Sequence, residues 1–161
     1  MKLKVLNTNA IIPMRAREGD AGLDLSCPQD TVVKPGRQVI FTNLAIELPY
    51  GYEATVRPRS GFSLKGMEGY LFADTNMECP LRFDADVLLG TIDENYRGNI
   101  GVIIKSNEKM PFIIKRGTRI AQLVVSVVEN RIDIDVVSEI SETDRGDGGF
   151  GHSGTYYIEG V

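Results

Sequence analysis

The sequence predicts one all-β domain, built as a sandwich, a barrel or a jelly roll. Three observations favour this class. Glycine and proline recur along the whole chain, with 17 glycines and 7 prolines in 161 residues. The stretches between them alternate between apolar and polar residues, and almost none repeats at the period of a helix. Many short strands joined by tight turns are typical of these architectures.

The strands follow from this alternation. In VIFTNLAIEL, one face is apolar and is formed by Ile40, Leu44, Ile46 and Leu48. The segments NIGVIIKS and IAQLVVSVV contain longer apolar runs, which indicate more fully buried strands.

A further half-buried strand is predicted near the end of the domain. In RIDIDVV, three apolar residues alternate with two aspartates; the apolar residues are Ile132, Ile134 and Val136.

Turns and one helix complete the domain. The tripeptides KPG at 34–36, PYG at 49–51 and KRG at 115–117 supply the residues that tight turns favour. Only SGFSLKGMEGY, which begins at Ser60, is suited to a helix, and its glycines predict that this helix is short.

The composition changes near the C-terminus. From Ser141 onward, polar residues and glycine predominate. We therefore expect a β domain over 1–140 and a tail over 141–161 that is mobile when nothing is bound.

Charge and composition exclude several classes of function. The chain has 18 lysines and arginines against 22 aspartates and glutamates, a net charge of -4, so no basic face for a nucleic-acid polymer is expected. No apolar run approaches the roughly 18 residues that a membrane span needs, and the start, MKLKVLNTNAIIP, lacks the apolar region of a signal peptide. We expect a cytoplasmic protein without a membrane partner.

The cysteines and the histidine add little chemistry. Cys27 and Cys79 are far apart and have no C-x-x-C spacing, so we interpret them as two reduced thiols. His152 is the only histidine, which argues against a histidine-rich zinc site.

Five stretches combine polar side chains with glycine: AGLDLS (21–26), RPRSGFSLK (57–65), GTIDENYRGNIGV (90–102), KRGTRIAQLVV (115–125) and RGDGGFGHSGT (145–155). Taken singly, each has a structural explanation, such as an arginine that pairs with an acid. Together, RSG and the glycine-rich tail offer two sets of cation, hydroxyl and glycine, which suit a polyphosphate. Phe150 adds a ring that can stack on a planar base.

These stretches, in this order, resemble the five motifs of the trimeric deoxyuridine triphosphate nucleotidohydrolases, or dUTPases. The resemblance implies a jelly-roll-like distorted barrel (β-clip fold) that forms a homotrimer with a flexible C-terminal tail. It also implies hydrolysis of dUTP to dUMP and pyrophosphate by attack of water on the α-phosphorus. Such an activity limits uracil incorporation into DNA and supplies dUMP for thymidylate synthesis.

The resemblance assigns three catalytic positions. Asp93 matches the general base that draws a proton from the attacking water, and aspartate side chains are ordinarily ionised at neutral pH. Gln122 matches the glutamine near the phosphates and this water. Asp24 matches the aspartate that orients waters around Mg²⁺, an ion held chiefly by the three phosphates and water, with no direct protein ligand.

The resemblance also assigns the substrate-binding positions. The phosphates are contacted from a neighbouring subunit by Arg59, Ser60 and Gly61. Tyr96 matches the tyrosine beneath the sugar that leaves no room for a 2′-hydroxyl. The hairpin around it, including Gly98 and Ile100, matches the one whose main chain reads uracil.

The tail matches the motif that closes over the nucleotide. Arg145 is expected to clamp the terminal phosphate and Phe150 to cover the uracil, with Gly151 and Ser153 beside the phosphates. His152 replaces a usual hydroxyl; it either modestly alters closure or is a surface residue on a mobile tail.

The chain departs from the family by an insert at about 66–86, whose role is not assigned. Two alternatives stay open. One is a dUTP-sensing regulatory protein, for which the insert offers a contact surface. The other is a relative of the dCTP deaminases, although Ile103 stands where these enzymes carry a catalytic glutamate.

Overall fold

The structure is a computed structural model that describes residues 1–74, 76–129 and 131–149. Within these ranges there are thirteen strands and one short helix, α1 (Ser60–Lys65). The strands are β1 (Lys2–Val5), β2 (Gly22–Ser26), β3 (Thr31–Val33), β4 (Gly36–Phe41), β5 (Leu44–Glu47), β6 (Tyr52–Arg57), β7 (Met67–Leu71), β8 (Leu81–Phe83), β9 (Ala85–Leu88), β10 (Gly90–Ile92), β11 (Gly101–Ser106), β12 (Phe112–Ile114) and β13 (Arg119–Val127).

The strands form four antiparallel sheets. Their orders are β1-β5, β10-β6-β13-β2, β4-β11-β9 and β3-β12-β7-β8. The sheets enclose one apolar core, to which almost every strand contributes. The predicted all-β, jelly-roll-like class is therefore confirmed. The helix has six residues, and no helix in the described ranges is long and apolar enough to cross a membrane.

The alternation in VIFTNLAIEL predicts the buried face correctly. Ile40, Leu44, Ile46 and Leu48 are all buried. The segment nevertheless forms two strands, β4 and β5, because Asn43 between them adopts a left-handed conformation with a φ of 61°. Asparagine tolerates this conformation better than most residues, so it can end one strand and begin the next.

The long buried strands and the turns are also confirmed. NIGVIIKS and IAQLVVSVV correspond to β11 and β13, the second of which pairs with both β6 and β2. Gly36, Gly51 and Gly117 of the predicted turns have φ values of 85°, 76° and 88°. These left-handed conformations favour glycine because it has no side chain.

The helix is as short as the sequence predicts, and it ends at Gly66. The φ of Gly66 is 78°, and a Cβ built there would lie 2.5 Å from the carbonyl oxygen of Phe83. The main chain of β8 therefore passes close to the end of α1, at a position that only glycine allows.

The strand predicted for RIDIDVV is wrong. Residues 131–137 form no strand, and Ile132, Ile134 and Val136 are 73%, 90% and 97% exposed. Alternation predicts which residues share a face, but a strand also needs a neighbouring strand to pair with. No strand in the described ranges pairs with this segment. A first compact unit covers Met1–Asn130 and a second covers Arg131–Val161.

Asp30 ties the loop before β3 to the turn that leads into β13. Its carboxylate accepts hydrogen bonds from the main-chain N–H of Arg116 at 2.8 Å and from Nζ of Lys115 at 3.0 Å. These two bonds hold the pKa of Asp30 below its usual value. The ionised carboxylate therefore stabilises the turn that precedes Arg119.

We predict that Asp30→Asn lowers stability at neutral pH by at most about 1 kcal/mol, since the site is half exposed. A carboxyl with a lowered folded-state pKa contributes stability that is present above its unfolded pKa, near 4, and is lost as the pH falls through the folded value. The difference between variant and parent should therefore shrink as the pH falls through the lowered folded-state pKa of Asp30. Thermal unfolding between pH 2.5 and 7.5 measures this, with Asp133→Asn on the exposed segment as control. A difference that persists at the lowest pH would contradict the assignment.

Candidate active site

One carboxylate and two guanidinium groups form the centre of a polar cluster. Oδ1 of Asp24 accepts a hydrogen bond from Nε of Arg59 at 2.7 Å, and Oδ2 accepts one from Nη1 of Arg119 at 3.0 Å. The Asp24 side chain is only 16% exposed. Two cations thus share one anion, and the cluster keeps an excess positive charge that suits an anionic ligand.

The four-stranded sheet β10-β6-β13-β2 positions these groups. Asp24 on β2 pairs in register with Gln122 on β13, and Gln122 pairs on its other side with Arg57 on β6. Arg59 follows shortly after the end of β6 and stands at the N-cap of α1. The motifs that contain these residues are distant in sequence, but the register of three strands brings them together.

The side chain of Gln122 is fixed by a close approach to β2. Its Nε2 donates a hydrogen bond to the carbonyl oxygen of Pro58 at 2.9 Å. A Cβ built at Gly22 would overlap Oε1 of Gln122. The glycine of AGLDL is therefore needed for the position of this amide.

A cavity of about 470 Å³ opens beside the cluster. Its polar lining includes Asp20, Asp24, Arg59, Ser60, Gly61 and Gln122. A Cβ built at Gly61 would meet no described atom within 4 Å, so the chain itself does not require glycine there. The open space at Gly61 leaves room for another molecule to approach the main chain.

Sequence reasoning missed Arg119 as a partner of Asp24. Arg119 and Gln122 are three residues apart, and in a regular strand that spacing places side chains on opposite faces. A β-bulge between Arg119 and Ala121 shifts the register, so both residues lie beside Asp24. The sequence shows the charge of Arg119 in TRIAQL, which could have indicated an anionic partner, but it does not show the bulge.

A second polar cluster surrounds the turn after β10. Asp93 is exposed, and its carbonyl oxygen accepts a hydrogen bond from the N–H of Tyr96 at 3.0 Å. The hydroxyl of Tyr96 donates to the carbonyl oxygen of Asn99 at 3.1 Å. A Cβ built at Gly98 would overlap the ring of Tyr96, so this ring lies against the turn. Asp93 borders a separate cavity of about 370 Å³.

Ile100 anchors this turn to the core. Its side chain is fully buried, and its N–H donates to the carbonyl oxygen of Leu44 at 2.8 Å. Its own carbonyl oxygen accepts two hydrogen bonds from Thr42, from the N–H at 2.9 Å and from the hydroxyl at 3.0 Å. The main-chain groups of Ile100 are thus engaged within the chain.

The two clusters lie at opposite ends of the same sheet. Asp93 follows Ile92, which pairs with Ala54, whereas Gln122 pairs with Arg57. Asp93 is one residue beyond Ile92, so its separation from Gln122 along β6 is four residues, or about 13 Å. Across the sheet, β10 and β13 are two strand spacings apart, or about 10 Å. A general base needs to be within hydrogen-bond reach of its target, about 3 Å. Asp93 therefore does not reach the Asp24 cluster of its own chain.

The tail residues belong to the second compact unit. Arg145 lies in a tight turn, where its Nε donates to the carbonyl oxygen of Gly148 at 2.9 Å. The remaining predicted residues of the tail lie outside the described residues: Phe150, Gly151, His152 and Ser153.

Comparisons with known proteins agree with one another. The family profile described as dUTPase matches residues 8–73 and 84–154 and leaves out 74–83. The deoxyuridine 5'-triphosphate nucleotidohydrolase of Gloeothece citriformis is 43% identical over 157 residues, which cover 96% of this chain and 97% of the relative.

Solved structures give the same result. The dUTPase of Staphylococcus bacteriophage 80alpha, solved with dUPNHPP, is 28% identical, with a TM-score of 0.78 over 96% of this chain and 98% of that one. A mutant dUTPase from phage phi11 of S. aureus, described as coordinating a structural Mg(II) ion, is 25% identical, with a TM-score of 0.69 over 86% of this chain and 96% of that one.

We predict that Gly22→Ala displaces the Gln122 amide, because the added methyl group would occupy its place. Loss of the bond to Pro58 should lower the free energy of unfolding by about 1 kcal/mol. Thermal or urea unfolding measures this, and Gly90→Ala is the matched control, because it adds the same methyl group in open space on β10 of the same sheet. Equal stability of the two variants would show that the close approach at Gly22 is unimportant.

Proposed function

Because the chain belongs to the dUTPase family, we propose that the two polar clusters are the two halves of its active site. The protein is a dUTP nucleotidohydrolase that releases dUMP and pyrophosphate. One observation carries the assignment of the first half: Asp24, Arg59 and Gln122 border one cavity, and the Asp24 carboxylate is shared by the guanidinium groups of Arg59 and Arg119. A deoxynucleoside triphosphate carries several negative charges, so this half suits its phosphates.

Arg59, Ser60 and Gly61 bind the phosphates in this proposal. The guanidinium group of Arg59 is held at Asp24, which fixes its direction before substrate arrives. The Ser60 hydroxyl donates a hydrogen bond, and the absence of a side chain at Gly61 lets phosphate oxygens approach the main chain. Little rearrangement is then required when the substrate binds.

Gln122 and Asp24 arrange the water around the phosphates. The Gln122 amide is already oriented by its bond to Pro58, and it lies beside the cavity where the catalytic water would stand. Each Asp24 oxygen accepts one bond from an arginine and has a further lone pair for a water molecule.

The residues present fit a magnesium ion that arrives with the substrate. The cavity offers carboxylates from Asp20 and Asp24, but the adjacent arginines repel an unaccompanied divalent cation. A magnesium–triphosphate complex carries a net negative charge and avoids this repulsion. When bound, Mg²⁺ would neutralise phosphate charge, and Asp24 would hold water molecules around it rather than ligate it.

Asp93 is the general base in this proposal. It accepts a proton from water as the water oxygen forms a bond to the α-phosphorus. The bond from this phosphorus to the bridging oxygen breaks, and pyrophosphate leaves with the electron pair. Since Asp93 is far from the Asp24 cluster of its own chain, a second chain supplies it, in line with a homotrimer.

The turn after β10 binds the nucleoside. Tyr96 presents its ring below the sugar and excludes a ribose 2′-hydroxyl by size. The main-chain groups of Ile100 are already bonded to Leu44 and Thr42, so Ile100 fixes the hairpin. The main chain of Gly98, next to the ring of Tyr96, then faces the uracil.

The tail completes the site. Arg145 clamps the terminal phosphate, Phe150 covers the uracil, and Gly151 and Ser153 lie beside the phosphates. Closing this segment excludes water and strengthens the polar contacts beneath it. We further propose that the β domain covers 1–140, that the tail covers 141–161 and that the protein acts in the cytoplasm.

We predict that Asp93→Asn lowers kcat for dUTP by about 10²-fold or more, because the amide does not accept the proton. The KM should change little, since phosphate binding is retained. Pyrophosphate release measures turnover, and Asp86→Asn, an exposed aspartate on β9, is the control. Full turnover by Asp93→Asn would contradict its role, and tight dUTP binding without turnover by the parent protein would favour a nucleotide sensor.

A mixing experiment tests the shared site. Asp93→Asn and Arg59→Gln chains should each be inactive alone. When the two are co-expressed, roughly a quarter of the sites should combine an intact Asp93 from one chain with an intact Arg59 from another, and activity should return. The two variants purified separately and combined without subunit exchange are the control. No recovery in mixed oligomers confirmed by mass would show that both residues act within one chain.

A further inference from the structure

A second cavity, the basic cleft, adjoins the proposed phosphate site. Its volume is about 410 Å³, and Arg59 and Gly61 line both cavities. Its charged lining consists of Arg59, Lys65, Glu68, Arg82 and Arg119. Four cations line the cleft with one carboxylate, Glu68; the adjoining Asp24 pairs with two of these cations, and the cluster stays positive in a protein whose net charge is -4. This local excess of positive charge favours an anionic ligand.

Arg82 comes from the segment that the family profile leaves out. It lies on β8, directly opposite Glu68 on β7. Its Nη2 pairs with Oε2 of Glu68 at 3.0 Å, and its Nη1 donates to the carbonyl oxygen of Gly66 at 3.3 Å. Both charged side chains are 51% exposed, so their ion pair contributes little stability and an incoming anion can compete for the guanidinium group.

The base of the β7–β8 hairpin is rigid, which fixes the place of Arg82. Phe83 stacks on Phe112 of the core with ring centroids 4.2 Å apart and planes at 1°. A Cβ built at Gly69 would lie 2.8 Å from the carbonyl oxygen of Ile113. The hairpin therefore packs closely on β12, and Arg82 projects from an anchored strand.

Lys65 supplies a cation that no acid neutralises. It is exposed at the end of α1, and within the described residues no carboxylate lies within 4.0 Å of its Nζ. Arg59 and Arg119 also line the cleft, and both pair with Asp24.

We propose that the basic cleft binds inorganic pyrophosphate at a site beyond the catalytic phosphates. Pyrophosphate carries several negative charges and at each end offers oxygens that guanidinium and ammonium groups can bind together. It is released next to the cleft, because Arg59 and Gly61 border both cavities. The inference rests on the proposed function only for the source of this pyrophosphate.

Calorimetric titration of the nucleotide-free protein with sodium pyrophosphate, without divalent cations, tests the proposal. Arg82→Gln and Lys65→Gln should each raise the Kd for pyrophosphate by about fivefold, as expected for one lost charge-assisted contact. Glu68→Gln should lower the Kd, because it removes a competing anion. Lys109→Gln removes an exposed cation outside the cleft and should leave the Kd unchanged.

Arg82→Lys distinguishes a loss of positive charge from a disturbed fold as the cause of weaker binding. This variant keeps the positive charge and should retain most of the affinity, whereas Arg82→Gln should not. Unchanged affinity in both Arg82→Gln and Lys65→Gln would overturn the proposal, because pyrophosphate would then bind only at the catalytic phosphates. Weakened affinity in Glu68→Gln would also overturn it, since that result would assign the Arg82 pair a structural role.

The titration involves no turnover and no dUTP. A protein that fails to hydrolyse dUTP but shows these opposite shifts would support the basic cleft and contradict the proposed function. Normal hydrolysis of dUTP with an unchanged Kd for pyrophosphate in every variant would support the proposed function and contradict the basic cleft.

Discussion

The proposed phosphate side of the site depends on one partly buried carboxylate that is shared by two guanidinium groups. Asp24 lies on β2, Arg59 precedes α1 and Arg119 begins β13, so three separate segments meet at this side chain. Without the carboxylate, two like charges would face each other in a partly desolvated place, and neither would keep its direction. Asp24 therefore allows the arginines to lie close together and leaves this cluster with one excess positive charge, which suits the proposed binding of phosphates.

The sheet that gathers these groups also separates them from Asp93. The strand β6 runs between β10 and β13, and the polar clusters lie at its two ends. A rigid antiparallel sheet does not bend enough to close a gap of several strand spacings. In the proposed trimer, each chain carries the Asp24 cluster at one end of this sheet and the Asp93 turn at the other. Subunit packing would bring the Asp24 cluster of one chain next to Asp93 of another. A complete active site would then form only when the trimer assembles.

Much of this arrangement is predictable from sequence, and the exceptions have physical causes. Alternation and turn glycines predict the buried strands because they depend on local spacing and on φ angles. The segment around Ile134 alternates equally well, but it pairs with none of the strands in the described ranges, which local spacing does not reveal. Asn43 divides one predicted strand into two by its backbone conformation. Arg119 reaches Asp24 only through a β-bulge, and a bulge is a property of a paired strand.

The insert illustrates the same limit most clearly. The position of Arg82 depends on the register of β8 against β7, which no pattern in the sequence of the insert indicates. The close approaches at Gly66 and Gly69 hold that register, since a shift by one residue would turn Arg82 to the opposite face. An insertion anchored in this way can add a charged side chain beside an existing site without disturbing the strands that build it. The proposed basic cleft combines such an addition, Arg82, with three cations from stretches that the sequence already singles out: Arg59, Lys65 and Arg119.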